Sequence, residues 1–197
     1  MSPQTKLGFG VLIAFLFAGP SLAQTFGVGA SIGLVNDISD KFHLDEFRSR
    51  DLNLWVDYEL SGKVFFRGTL GTLRMRGVNA GQVVTQPFAT TSITLPDLAN
   101  RVNYGTIGVS YEFAEQGFTS GIFAGLGGYT IRPYGVDESI ANYRDQRETV
   151  FGWHAGVDGG VQLVSHLSLV IRVTYHNIRS STGRSLLTAN GGFAYRF

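Results

Sequence analysis

The stretch FGWHAGVDGGVQLVSHLSLVIRVTYH, residues 151–176, decides the fold. Its first half sets Phe151, Trp153, Ala155, Val157, Val161 and Leu163 against Gly152, His154, Gly156, Asp158 and Gln162. Its second half sets Leu167, Leu169, Ile171, Val173 and Tyr175 against Ser168, Arg172, Thr174 and His176. An apolar residue at every second position marks a strand with one apolar face; a helix would repeat about every 3.6 residues. Only Val164-Ser165-His166 separates the halves, so the stretch predicts an antiparallel hairpin around a tight turn.

Working outward, the same period runs through about eight segments from Gln24 onward. Phe26 to Leu34, Leu52 to Leu60, Val64 to Gly71 and Thr106 to Phe113 alternate in the same way, and Phe118 to Thr130 is a glycine-rich segment whose facing the residues leave open. The chain ends on GGFAYRF, which continues the alternation back to about Leu187, so this terminus reads as a last strand and not as a tail. Connections alternate in length. Ser61-Gly62-Lys63, Ala114 to Gly117 and Val164 to His166 are short, while 35–50, 74–101, 132–148 and 178–184 are long and fall at the opposite end. This predicts an all-β fold, an eight-stranded antiparallel up-and-down transmembrane barrel with both termini at the short-turn end.

Alternation alone does not say which face is inside, but side-chain volume does. The apolar face is bulky, and the other is mostly Gly, Ser and Thr with scattered full charges. A soluble lipocalin-like barrel would point the bulky face inward, yet an eight-stranded interior is only just wide enough for side chains, and glycines relieve that crowding. The bulky face is therefore expected outside, against lipid. The 26 glycines and 13% aromatics suit closely packed strands, and the absence of cysteine excludes a disulfide framework and a thiolate metal site.

The first 23 residues are expected to be a signal peptide, leaving 24–197 as the barrel domain. Lys6 precedes an apolar run from Leu7 to Ala18, Gly19-Pro20 break it, and Ser21-Leu22-Ala23 supply a small-x-small cleavage site. Without Lys6 the chain carries 15 basic and 15 acidic residues, a balance that argues against a nucleic-acid partner. No later segment offers an apolar helix of about 20 residues, so a membrane-embedded chain must cross as strands.

The outward aromatics gather in two groups. Phe26, Tyr58, Phe66, Tyr111, Phe113, Phe118, Tyr195 and Phe197 lie toward the short turns, and Phe151, Trp153 and Tyr175 toward the long connections, as rings at two membrane interfaces would. With signal sequence, eight alternating segments, asymmetric connections and terminal aromatics, the chain resembles the small outer-membrane β-barrel family of Gram-negative bacteria, to which the OmpA membrane domain and OmpX belong. The resemblance covers 24–197. It implies residence in the cell outer membrane, contact with outer-membrane lipid and lipopolysaccharide, and insertion by the barrel assembly machinery, for which Phe193, Tyr195 and Phe197 match the family's terminal assembly signal.

Registering the hairpins brings the inward charges together, since cross-strand neighbours share a face. With Leu60 opposite Val64, Asp57 falls opposite Arg67; with Leu163 opposite Leu167, Asp158 falls opposite Arg172. Both are expected to be lumen ion pairs, with Glu59, Glu112 and Arg196 lower down. The same register sets His154 opposite His176 toward the long connections. Two imidazoles fall short of the three or four ligands a metal site needs, so they are read as hydrogen-bonded structural histidines, with no metal and no cofactor. His166-Leu167-Ser168 is similar to the His-x-Ser element of barrel lipid A deacylases. Leu169 stands where that family has Asn, and His166 falls in a short turn, so catalysis is not expected there.

Recognition is expected on the long connections. In 74–101, Val83, Val84, Phe88, Ile93 and Leu95 suit a hairpin protruding above the barrel, and Asp37, Asp40, Asp45 and Glu46 lack the spacing of a calcium loop. The function expected is that of a monomeric, non-enzymatic structural or surface-interaction protein. The alternatives are a conduit for small or apolar solutes and, less favoured, a lipid A-modifying barrel enzyme.

Overall fold

In the computed structural model the described residues are 25–38, 49–75, 83–85, 92–94, 99–115, 117–134, 147–179 and 184–197. The expected signal peptide, 1–23, lies outside them, as do Asp40, Asp45, Glu46, Phe88 and Leu95. Among the described residues ten strands form: β1 (Phe26–Asp37), β2 (Ser49–Ser61), β3 (Val64–Met75), β4 (Val83–Thr85), β5 (Ser92–Thr94), β6 (Ala99–Glu115), β7 (Phe118–Tyr134), β8 (Glu148–Val164), β9 (Leu167–Ile178) and β10 (Arg184–Arg196). Eight of them close into an antiparallel barrel in the circular order β1-β10-β9-β8-β7-β6-β3-β2. β4 and β5 pair with each other as a separate two-stranded sheet, Val84 opposite Ile93. Closure joins the ends of the chain: Gly27 pairs with Arg196, and the Phe197 amide donates to the Phe26 carbonyl at 2.8 Å.

The bulky face is outside. Ile32, Leu70, Ile107, Leu126, Ile171 and Phe193 are all more than half exposed, whereas Asn53, Arg67, Thr174 and Asn190 on the alternate positions are buried. β7 takes the same phase, with Ile122 and Leu126 outward and Phe123 and Tyr129 inward. Outer rings meet at both ends of this band: Tyr195 and Phe197 at 4.9 Å and Tyr111 and Phe113 at 4.8 Å near the short turns, Trp153 and Tyr175 at 5.3 Å near the long connections.

Two sequence expectations are corrected. Leu60 does not face Val64, nor Leu163 face Leu167. The ladders shift by one residue, so that Ser61 faces Val64 and Val164 faces Leu167, and each turn is a two-residue loop with a bulge at Leu60 or Leu163. Gly62 carries the first turn at φ +53, a conformation open to glycine. Because the irregularity lies below Glu59 and Gln162, the register above it is unchanged.

The strands also extend further toward the long connections than the alternation suggests, and there the pattern inverts. Val35, Leu73, Val102, Ile131, Ile178 and Leu186 point inward and are almost fully buried, in one cluster with Tyr104 and Tyr129. Their outward neighbours Arg74 and Arg132 are exposed. Above the apolar band the outer face no longer meets lipid, so apolar side chains find burial only inside.

Candidate functional site

The band of the barrel encloses a charge cluster. Hairpin register brings Asp57 opposite Arg67 and Asp158 opposite Arg172. Arg67 donates from Nε to Asp57 Oδ1 at 2.6 Å and from Nη2 to Asp57 Oδ2 at 2.8 Å, a bidentate fork. It also donates from Nη1 to Asp158 Oδ2 at 2.8 Å, across the lumen, and the same oxygen accepts from Arg172 Nη2 at 3.2 Å. Two carboxylates and two guanidiniums thus form one neutral group. Aromatic faces support it: the Arg172 guanidinium lies 3.8 Å from the Trp55 ring centroid and 4.9 Å from that of Phe123, and Arg67 lies 5.0 Å from Phe123.

Toward the short turns a second group follows, in which Arg196 Nη2 donates to both oxygens of Glu112 and its guanidinium lies 5.3 Å from the Phe65 ring. Toward the long connections the lumen turns to rings. Tyr104 and Tyr129 stack at 5.5 Å, and Tyr129 Oη lies 3.1 Å from Nδ1 of His176. His154 and His176 face each other as expected, but their rings are 5.6 Å apart; the bond of His176 is to tyrosine, and His154 Nδ1 has no hydrogen-bond partner. A cavity of about 10 Å3, room for about one water, lies between Asn53, Thr69, His154, Arg172, Thr174 and His176. Beside it Asp51 Oδ2 accepts from Asn190 Nδ2 at 2.6 Å and from Asn53 Nδ2 at 3.0 Å. The apolar cluster around Leu73 and Leu186 lies above it.

Glycines make room for these rings. A Cβ on Gly29 would stand 2.1 Å from Trp55, and one on Gly71 would stand 2.2 Å from Tyr104, their direct cross-strand partners. The sequence reading took the aromatics as an outer feature. The inward Phe65, Tyr104, Phe123 and Tyr129 were missed, although each holds the polar phase of its strand and Tyr104 and Phe123 each face a glycine, at Gly71 and Gly156. His166 sits in the β8–β9 turn, its Nδ1 2.9 Å from the Arg196 carbonyl oxygen. Phe193, Tyr195 and Phe197 lie on the outer face at the short-turn end.

Comparison with known proteins agrees with this architecture. The profile of the outer membrane protein beta-barrel domain matches residues 9–197. The chain belongs to this family. Its place is therefore the outer membrane of a Gram-negative envelope. Neisserial surface protein A superposes with a TM-score of 0.57 at 10% identity, covering 88% of this chain and 97% of that one. The N-terminal barrel of Pseudomonas aeruginosa OprF gives 0.54 at 11% identity, with coverages of 88% and 97%. Yersinia pestis Ail, the attachment invasion locus protein, solved with the heparin analogue sucrose octasulfate, gives 0.51 at 15% identity and the same coverages. At such identities the likeness is one of fold. No curated protein matches the sequence at a significant level.

Proposed function

We propose that this family member is a closed, non-conducting, monomeric barrel that acts through its long connections, as a structural or surface-interaction protein of the envelope. The carrying observation is that the lumen is filled at successive levels: the Arg196–Glu112 pair, the four-charge cluster on Trp55 and Phe123, and the apolar cluster around Leu73 and Leu186. An eight-stranded interior has room for side chains and little else. In this reading the short turns face the periplasm and the long connections the cell exterior, where they meet lipopolysaccharide and any extracellular ligand. The lumen pairs Asp57–Arg67 and Asp158–Arg172 fix the strands. Phe193, Tyr195 and Phe197 serve as the assembly signal for the barrel insertion machinery. The chain is not an enzyme and uses no cofactor.

Single-channel recording of the refolded protein in planar bilayers tests the closed lumen. A quiet baseline is expected, and large, stable conductance steps would overturn it. Lipid A mass spectra from cells with and without the protein are expected to be the same; a modified species that depends on the protein would restore the enzymatic alternative.

A further inference from the structure

The terminal strands meet at the short-turn rim, and the end of each is held there by a side chain of its neighbour. On one side the β1–β2 ladder begins with Phe26 opposite Tyr58. One rung further out, the Glu59 amide donates to the Thr25 carbonyl at 3.0 Å, and the return bond uses a side chain: the Thr25 amide donates to Glu59 Oε2 at 3.2 Å. On the other side the β9–β10 ladder stops with Tyr195 opposite Leu167. One rung further out, the Arg196 amide donates to the His166 carbonyl at 2.9 Å, and the return bond again uses a side chain, His166 Nδ1 lying 2.9 Å from the Arg196 carbonyl oxygen. A carbonyl oxygen only accepts, so Nδ1 carries the proton, as it does in one neutral tautomer and in the imidazolium. Between the two side chains lies the bond from the Phe197 amide to the Phe26 carbonyl at 2.8 Å, which joins β10 to β1.

Each terminal strand has one neighbour near in sequence and one far away. Thr25 and Glu59 are 34 positions apart, and His166 and Arg196 are 30, whereas the seam joins Gly27 to Arg196, from opposite ends of the described chain. The entropy lost in closing a loop grows with its length, so the two near contacts are within reach before the seam is. Until the seam pairs, β1 and β10 are open edges with a row of free N–H and C=O groups, and strand ends fray first. Fraying at this rim starts at Thr25 and Arg196, the two residues that Glu59 and His166 hold. The turn that carries His166 is itself braced, Gln162 Nε2 donating to the Ser165 carbonyl at 2.9 Å.

We infer that Glu59 and His166 are closure clamps, which hold the ends of β1 and β10 against β2 and the β8–β9 turn before the seam forms, so that Phe26 and Phe197 meet in register. Register matters here because a slip of the seam by one residue would turn a whole terminal strand inside out. Both side chains act as positioning residues for barrel closure. The role belongs to the folding of the chain itself and requires neither the assembly signal on the outer face nor any ligand of the long connections.

The test is the rate at which the purified protein folds into lipid vesicles with no insertion machinery present, read by heat-modifiable gel migration, together with its unfolding rate in guanidinium. Removing an interaction that forms before the rate-limiting step slows folding and leaves unfolding as it was, while removing one that forms later does the reverse. Glu59→Ala and His166→Ala are each expected to slow folding by about three- to tenfold, the range of one hydrogen bond, with unfolding unchanged. Glu59→Gln keeps a carbonyl acceptor and His166→Asn keeps an N–H donor, so both are expected to fold at the wild-type rate. Tyr129→Phe removes the hydroxyl 3.1 Å from His176, far from this rim, and is expected to speed unfolding only. An alanine variant that does not fold counts as the limit of this slowing where its conservative replacement folds. Wild-type folding rates in both alanine variants, faster unfolding in place of slower folding, no recovery in Glu59→Gln and His166→Asn, or equal slowing in Tyr129→Phe would each overturn the inference.

Discussion

Asp158 is the member of the charge cluster whose loss is expected to cost the most. Its Oδ2 atom bridges Arg67 at 2.8 Å and Arg172 at 3.2 Å, and the three side chains are between 3% and 17% exposed, so solvent screens the contacts little. Asp158→Ala leaves Arg67 with its bidentate partner Asp57, but leaves Arg172 with only the rings of Trp55 and Phe123. The cluster changes from neutral to a net positive charge. Removing one partner of a buried pair typically costs about 3 to 5 kcal/mol, mostly as the penalty of the charge left behind.

That origin of the penalty makes the prediction sharp. Arg172→Met alone keeps Asp158 on Arg67, so it loses one charged hydrogen bond and one stacked cation, on the order of 2 kcal/mol. Combined with Asp158→Ala it restores neutrality, with Arg67 and Asp57 as the surviving pair. The double variant is therefore expected to be more stable than Asp158→Ala by about 2 kcal/mol. Guanidinium unfolding of the barrel in lipid vesicles measures this, with fluorescence of Trp55 beneath Arg172, read in a Trp153→Phe background, as a local reporter. If the two single losses simply add, the cluster is not an electrostatic unit and the reasoning fails.

Two further outcomes follow from the packing and the closure. Gly29→Ala forces a Cβ to 2.1 Å from Trp55, whereas a Cβ on Gly68 meets nothing within 4 Å. Gly29→Ala is expected to lower unfolding stability by about 1 to 3 kcal/mol and Gly68→Ala to change it little, and equal effects would contradict the packing of Trp55 on Gly29. Deleting Phe197 removes a largely exposed ring 5.7 Å from Phe26 and 4.9 Å from Tyr195, a stability loss of about 1 kcal/mol. The deleted protein is nonetheless expected to reach the outer membrane at several-fold lower levels in cells, and normal insertion would refute the signal role.

Much of this architecture is legible because β-strand periodicity is local. Parity alone gives each residue its face, and parity with turn length sets Asp57 opposite Arg67 and Asp158 opposite Arg172, even though the turns contain bulges that turn length does not reveal. Contacts across the lumen are not legible in this way. Arg67 reaches Asp158 over 91 positions of sequence, and only the curvature of the closed barrel brings β3 and β8 face to face. The inner rings escape for another reason. Phe123 and Tyr129 lie in a strand whose glycines blur the contrast between faces, and the room for Phe123 is made by Gly156 on β8.

The inversion of phase near the long connections was the least visible feature, and it carries the most physical information. A reader who follows apolar residues along β1 stays on Phe26, Val28, Ala30, Ile32 and Leu34 and then meets Val35, apolar but of opposite parity. By that count alternation stops and the strand ends there. It continues to Asp37, because the environment outside has changed while the period has not. Height gives an independent check on where that change occurs. On β8 the outward positions from Phe151 to Leu163, apolar side chains broken only by Gly159, cover twelve steps of strand, which at about 3.3 Å per residue and a tilt of about 40° rises roughly 30 Å, the height of an outer-membrane apolar band of about 25 Å with its flanking aromatic rings. The inverted cluster of Val35, Leu73, Val102, Ile131, Ile178 and Leu186 therefore begins where the hydrocarbon ends. One strand pattern serves two solvents, and the level at which its apolar residues move from the outer face to the inner one marks the membrane surface.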